Sequence, residues 1–480
     1  MVFGGDAPVD MADFLAALPE AWPEDVMPEV RRLVGETGRK LVVLDDDPTG
    51  GQTVHGLWAL TRWSPDMLRP ALADDKPVFF ILTNSRGLTG DRAEALDREI
   101  AGCLADAVER LGCDFDVLAR GDSTLRGHYP LELDAVRSVL TSRLGWRYDG
   151  TIICPFFLEG GRLTAGDVHW VTEGDRVIPA AQTEFARDAT FGYANSNLRK
   201  WVAEKTRGRA PASEVLTVSL ETIRGKGPEG VRKTLLEVAD GRVVAVNAVS
   251  YRDMAVFVAG LLAAQAEGKR FLFRTAASFV KVRGGVTDRG LLTMAELSRP
   301  GETGGLVLVG SYVQKTSRQL QEALKLPGLE GVELRVARVL DASARAAEIA
   351  RVAQTANRTL AAGKEAVIYT SRELVTDRGR AGDLDIGQEI SSALVDVVRQ
   401  IEATPRFVIA KGGNTASHVA VDGLKVERAW IMGQILPGAP VWRLEAESRF
   451  PGMPLVVFPG NVGTDDSVAQ AIRTLRGEQK

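Results

Sequence analysis

Residues 41–51 read LVVLDDDPTGG. Four apolar residues, Leu41 to Leu44, run straight into Asp45, Asp46 and Asp47, and then into Pro48, Thr49, Gly50 and Gly51. A short apolar run bounded by turn residues reads as a strand buried on both faces, the kind found in parallel sheets covered by helices. Three adjacent carboxylates repel one another and have no use inside a strand. Such an end therefore implies a partner: a substrate hydroxyl whose proton a carboxylate can accept, or Mg²⁺ held beside it.

Outward from this stretch the same pattern repeats. The runs LVVL, PVFFIL, FDVLA, GTIICP, RVVAVN and RFLFR each adjoin a longer amphipathic segment. One of these, residues 91–111, predicts a helix with Ala95, Ile100, Leu104 and Val108 along one stripe. The pattern breaks at Leu297–Gly305 (LSRPGETGG) and resumes with LVLVGS, VELRVARV, EAVIYTS, RFVIAKGG and PLVVFPGN. The expectation is an α/β chain of two domains, each a mostly parallel sheet flanked by helices, divided near residue 300. Residues 1–38 predict a helical extension, with Asp10 as an N-cap and Val26, Met27, Val30, Leu33 and Val34 at helical spacing before Gly35.

Composition narrows the partners. At 480 residues, 45% hydrophobic and 25% charged, with a net charge of -4 from interspersed acids and bases, the chain carries no basic footprint for nucleic acid or an anionic membrane. The longest apolar run, Ala255 to Ala264, falls short of the roughly 20 residues of a membrane helix. Acidic residues precede the first basic one, Arg31, unlike a secretory signal. The three cysteines, Cys103, Cys113 and Cys154, have no zinc or redox spacing and read as buried reduced thiols of a cytoplasmic protein. A small-molecule partner is expected.

Ligands of open α/β sheets bind beyond the carboxyl ends of the strands, so those loops hold the candidates. In the first domain they are Asp46 and Asp47, Arg86 of TNSRG, and Asp122, Ser123 and Arg126 of RGDSTLRGH. Glu159, Arg162, Thr164 and Asp167 of EGGRLTAGD follow. Acids, hydroxyls and guanidinium groups suited to forked carboxylate recognition fit a small polyhydroxylated anion. In the second domain three strand ends are rich in glycine and small polar residues. These are Gly310 and Ser311; Gly412, Gly413, Asn414 and Thr415; and Gly460, Asn461 and Gly463. Backbone N–H groups at such ends bind phosphate, and three in one domain point to a nucleotide site. Gly438 of GQILPGAP belongs either with them or to a plain hairpin turn. No P-loop or dinucleotide fingerprint occurs, and the four histidines read as structural or peripheral.

Two other functions use the same residues. VVLDDDPTG fits a haloacid dehalogenase-like phosphatase with Asp45 as nucleophile and Asp47 as acid. That chemistry also needs a lysine and a late acidic pair on the same sheet, and the available pair, Asp465 and Asp466, falls in the other domain. A non-catalytic sugar-acid sensor would carry a fused signalling module, and residues 1–38 are too short for one.

Taken together, DDPTGG, TNSRG, RGDSTLRGH, GGRLTAGDVHWV, TEFARDATFGYANSNLRKWV, GSYVQKTSRQL, KGGNTASHV, GQILPGAP and GNVGTDD resemble, in order and spacing, the four-carbon acid sugar kinase family, from about Val42 to Val468. The resemblance implies an acid sugar-binding domain at 39–298 and a nucleotide-binding domain at 303–480, with the active site in the cleft between them. It implies ATP-dependent phosphorylation, with Mg²⁺, of the terminal hydroxyl of threonate, erythronate or 3-oxo-tetronate. On this reading Asp46 and Asp47 are catalytic, while Arg86, Asp122, Ser123, Arg126 and Arg162 face the sugar acid. The glycine loops, Gly438 included, face ATP. Asp45 and Asn414 depart from the family pattern, which favours a small or apolar residue and an aspartate there. A subunit interface in a homo-oligomer is one use for the extension.

Overall fold

The computed structural model describes residues 7–297, 303–310, 313–371, 380–460 and 462–478, with the backbone alone over 380–385. The chain divides into two compact units, Met1–Asp46 with Arg62–Asp288, and Asp47–Thr61 with Arg289–Lys480. The expected boundary near residue 300 assigned 47–61 to the first domain; those residues pack with the second unit.

The first unit is built on parallel strands in the order Leu216–Val218, Arg242–Val246, Gly150–Cys154, Phe271–Thr275, Phe115–Arg120, Lys40–Asp45 and Val78–Leu82. The apolar runs of the sequence form most of these strands, and the strands are largely apolar because helices cover both faces. The chain leaves Lys40–Asp45 for the neighbour on one side, Val78–Leu82, and then crosses to the other side at Phe115–Arg120. That reversal opens a crevice at the carboxyl end of Lys40–Asp45, which is where Asp45 and Asp46 stand.

Helix Gly90–Leu111 buries Ala93, Asp97, Ile100, Leu104 and Val108. The expected stripe held Ala95, which is exposed; a carboxyl group, Asp97, lies on the buried face instead. The apolar run Ala255–Ala264 lies inside Tyr251–Ala266, a helix buried on nearly every side. Among the described residues no helix is long and apolar enough to cross a membrane. Cys154 is buried as expected, whereas Cys103 and Cys113 are half-buried.

The segment read as a loop after GTIICP is instead part of a small antiparallel sheet, Arg162–Ala165, Val168–Glu173 and Arg176–Pro179, with Val9–Asp10 at its edge. Its alternation is short and broken by Gly166, which hides it from a periodicity count. The N-terminal extension thus packs on its own unit. Asp10 caps Met11–Ala16 by accepting from Ala12 N–H at 2.8 Å, and Phe14 meets Trp170 edge-on. Helix Met27–Thr37 runs through Gly35 and ends at Gly38.

The second unit's sheet runs Leu57–Leu60, Arg428–Leu436, Ala439–Leu444, Pro454–Phe458, Val408–Lys411, Leu306–Val309, Glu365–Thr370 and Leu329–Leu334. The first three are antiparallel to their neighbours and the rest pair in parallel. VELRVARV is half strand and half helix, Leu329–Leu334 followed by Val336–Leu340. One core layer lies between this sheet and helices Gln314–Ala323 and Ser467–Arg476, where Val307, Ile409, Val456, Leu320 and Ile472 are buried.

Candidate functional site

In the first unit Asp46 is gripped by arginines. Arg86 donates to it with two prongs, Nε to Oδ2 at 3.0 Å and Nη2 to Oδ1 at 2.6 Å. Arg120, the last residue of its strand, reaches Asp46 Oδ1 at 3.3 Å and Asp45 Oδ1 at 3.2 Å. Parallel register puts Asp45 directly beside Arg120, so pairing of the two strands itself creates this contact. Burial pushes the Asp46 carboxyl up; the guanidinium charges of Arg86, then Arg120 and Arg274, outweigh it and hold the group below the usual carboxylate range.

The loop Gly121–Gly127 carries the next candidates. Asp122 accepts from the Thr124 hydroxyl and from Arg126 Nε, and Arg126 also lies 3.5 Å from Asp188. Burial raises the Asp122 carboxyl, and Arg86 and Arg126 bring it well below its ordinary range. Arg126 and Arg162 stand over the same Phe185 ring, at 5.1 and 5.5 Å from its centre. Arg162 makes no ion pair with a carboxylate among the described residues, and burial lowers its pKa.

Three buried side chains from three segments hold this loop by its carbonyl groups. His169 Nε2 lies 2.7 Å from the Ser123 oxygen, Tyr193 donates its hydroxyl to the Thr124 oxygen at 2.8 Å, and Arg274 Nη2 donates to the Arg126 oxygen at 2.8 Å. With Nε2–H donating, His169 Nδ1 accepts from the Thr164 hydroxyl at 3.0 Å. Burial pushes the His169 imidazole down to about 4, so it is neutral near neutral pH. The Arg274 guanidinium lies flat against Gly121, where a Cβ would stand 2.0 Å from its Cζ. Arg274, His169 and Tyr193 were not among the sequence candidates. An arginine inside FLFRT, an otherwise apolar strand end, is the one available signal.

In the second unit Leu306–Val309, Val408–Lys411 and Pro454–Phe458 are parallel neighbours, so their glycine loops leave one edge of the sheet together. The loops touch through glycine. A Cβ on Gly310 would sit 2.3 Å from Thr415 Oγ1, and one on Gly413 would sit 2.5 Å from Asp47 Oδ2. Asp47 therefore stands against the Gly412–Gly413 turn, where its Oδ1 also accepts from Thr49 N–H at 2.9 Å and the Thr49 hydroxyl at 2.6 Å. Asn414 is exposed and Thr415 buried. The Gly460 oxygen accepts from Lys411 Nζ at 2.9 Å and from the Thr316 hydroxyl at 3.3 Å. Gly463 backs onto Ser467. Gly438 occupies the tight turn between Arg428–Leu436 and Ala439–Leu444, against Val462, so it is both hairpin turn and neighbour of the third loop. Ser311 and Asn461 lie outside the described residues.

Lys411 is not a sequence candidate, its signal being only a lysine between an apolar run and two glycines: it ends an apolar strand, fully buried, with its ammonium on the Pro459 and Gly460 oxygens and over the Phe458 ring. Burial, then the charge of Lys315, lowers it to about 7. The late acids are otherwise engaged. Asp465 pairs with Arg318 at 3.0 Å, and Asp466 accepts from Thr464 and Gln470. Among the described residues no group of three His, Cys, Asp or Glu side chains is placed to hold a metal.

The sequence matches a family described as a sugar-binding N-terminal domain over residues 41–283 and a nucleotide-binding C-terminal domain over 306–468. It is 24% identical to a D-threonate kinase of Salmonella typhimurium, over 90% of this chain and 97% of that one. It is 26% identical to a D-threonate kinase of Bordetella bronchiseptica, over 92% and 98%. Solved structures of a Haemophilus influenzae protein (17% identity, TM-score 0.61, 90% of this chain and 100% of that one) and of a Salmonella typhimurium LT2 protein (16%, 0.65, 92% and 100%) share the fold.

Proposed function

The chain belongs to the four-carbon acid sugar kinase family, phosphotransferases with an alcohol group as acceptor, and from that premise we propose that it transfers the γ-phosphoryl group of ATP to the terminal hydroxyl of a four-carbon sugar acid such as threonate. The observation that carries the substrate class is the arginine cluster. Arg86, Arg120 and Arg126 are matched to Asp45, Asp46, Asp122 and Asp188, whereas Arg162 has no carboxylate partner of its own among the described residues. A substrate carboxylate supplies that partner in forked geometry, which fixes the far end of a short acid.

The two acids take different parts. Asp46, held by Arg86 and Arg120 and lowered in pKa by their charges and by that of Arg274, is a poor proton acceptor; it anchors Arg86 and Arg120. Asp47 stands at the Gly413 turn of the nucleotide unit, where it orients the attacking hydroxyl and takes its proton. The loops at Gly310, Gly412–Thr415 and Gly460 hold the phosphates through backbone N–H groups, Gly438 and Gly463 shape the third loop, and Ser311 and Asn461 complete the set. Asp47, a carboxylate set against the Gly413 turn, would be the residue to hold Mg²⁺ arriving with the nucleotide. When bound, Mg²⁺ neutralises phosphate charge. ATP use and sugar-acid catabolism suit the cytoplasm.

Family membership argues against the phosphatase reading, and Asp45 is buried beside Arg120 rather than presented as a nucleophile. The test is ADP release with Mg²⁺ATP and a panel of both enantiomers of threonate and erythronate, 3-oxo-tetronates and longer aldonates. ADP formed with a four-carbon acid alone supports the proposal. Hydrolysis of a generic phosphate ester with no acid-stimulated ADP release overturns it.

A further inference from the structure

Behind the arginine cluster runs a line of oxygen atoms that the reaction does not touch. Thr83 Oγ1 lies 3.0 Å from the Asp45 carbonyl oxygen and 3.2 Å from Ser85 Oγ, and Ser85 Oγ lies 2.8 Å from Glu132 Oε1. All four residues are buried, Ser85 and Thr83 at 1% and 7% exposure and Glu132 at 6%. A hydrogen bond in each of the three contacts takes three protons, and a hydroxyl donates only one. Thr83 and Ser85 provide two. We propose that Glu132 provides the third: it is a neutral carboxylic acid in the working protein, donating to Ser85, which donates to Thr83, which donates to the Asp45 carbonyl group.

That order puts a proton in every contact, whereas an ionised Glu132 leaves one contact of the line without a proton. With a carboxylate, Ser85 turns its hydrogen to Glu132, and Thr83 is left to serve two acceptors with one. The surroundings agree. Asp97, the carboxyl on the buried face of Gly90–Leu111, faces Glu132 from the neighbouring helix, and burial and then Glu132 push it up to about 9. Burial likewise raises Glu132; of the charged groups facing it, Arg274 and His128 oppose that rise and Asp46 adds to it.

The chain matters to the proposed sugar-acid site, and to that extent the inference rests on the kinase reading. It ties the end of the strand before Asp46 to the turn that carries Arg86, so it sets the fork in which Arg86 holds Asp46. A neutral Glu132 also adds no negative charge behind the arginines that attract an anion. Glu132 is thus a positioning residue for sugar-acid binding.

Glu132→Gln keeps a donor where the acid O–H stands, and Glu132→Leu has the size without the donor. Steady-state kinetics should show the sugar-acid KM raised about tenfold in Glu132→Leu with the ATP KM unchanged, and restored to within about twofold by Glu132→Gln. If Glu132→Gln is as damaging as Glu132→Leu, the carboxylate form is the one required and the proposal fails. Infrared spectra of the ligand-free proteins in D₂O at neutral pH separate this from any failure of the kinase reading. The wild type should show a protonated-carboxyl C=O band that loses a component in Glu132→Gln. A band unchanged by that substitution means Glu132 is ionised and overturns the inference whatever the substrate.

Discussion

Arg162 and Asp47 show how much a single side chain's surroundings decide. Each was a candidate by type alone, an arginine on a loop and an acid at a strand end. In the structure Arg162 shares the Phe185 ring with Arg126 but lacks a carboxylate partner among the described residues, which is what makes it available to an anion. Replacing it with glutamine should raise the sugar-acid KM by about 10- to 100-fold, the worth of one or two charge-assisted hydrogen bonds, and leave the ATP KM alone. Equal effects on both KM values would remove Arg162 from the sugar-acid site. Asp47→Asn keeps a similar shape beside Gly413 but cannot take a proton. We expect nucleotide-induced thermal shifts to survive and kcat to fall by about 10²- to 10⁴-fold. Full turnover in this variant would exclude Asp47 from the chemistry.

At the level of elements, the polar loop Gly121–Gly127 depends on others for its shape. It has no regular structure of its own, and the carbonyl groups of Ser123, Thr124 and Arg126 are held from outside by His169, Tyr193 and Arg274. His169 belongs to the small antiparallel sheet, which thereby serves the candidate site rather than merely covering the core. Its neutrality has a pH consequence. With a folded pKa near 4 and an ordinary value near 6.5, the unfolded chain binds the extra proton between those limits, so stability falls as pH drops through that window. His169→Gln keeps a donor and cannot titrate. Urea unfolding at pH 7 and pH 5 should show a smaller acid-induced loss in this variant than in the wild type, by an amount on the order of 1–2 kcal/mol. Equal losses would mean that His169 does not carry the acid sensitivity. The same dependence explains why the loop's supports were invisible in sequence: residues 169, 193 and 274 lie 46, 69 and 148 positions from the carbonyls they hold.

For the molecule as a whole, the division of the chain is the main departure from expectation. The two units are not two consecutive stretches, because residues 47–61 leave the first and supply strand Leu57–Leu60 to the second. That strand pairs with Arg428–Leu436, and Trp58 meets Trp430 edge-on at 4.7 Å between ring centres. A fragment beginning at residue 303 would leave Arg428–Leu436 as an unpaired edge with an exposed tryptophan. Such a fragment should melt lower and scatter more light than the same fragment carrying residues 47–61 on a flexible linker. Indistinguishable behaviour would mean that the strand adds nothing to the second unit.

The sequence by itself determined the α/β class, most of the parallel strands, the glycine-rich strand ends and the family. These follow from local periodicity and from ordered motifs, and a buried parallel strand must be apolar whatever its neighbours are. It also marked the acids and most of the arginines, since charge at the end of an apolar run has few other uses. Tertiary structure alone decided which acid meets which arginine, that Asp46 and Asp47 fall to different units, that Lys411 is buried on two carbonyl groups, and that Asp97 and Glu132 lie together out of water. The physical reason is that ionisation and pairing depend on burial and on partners distant in the chain, and strand order, which no local window records, chooses those partners.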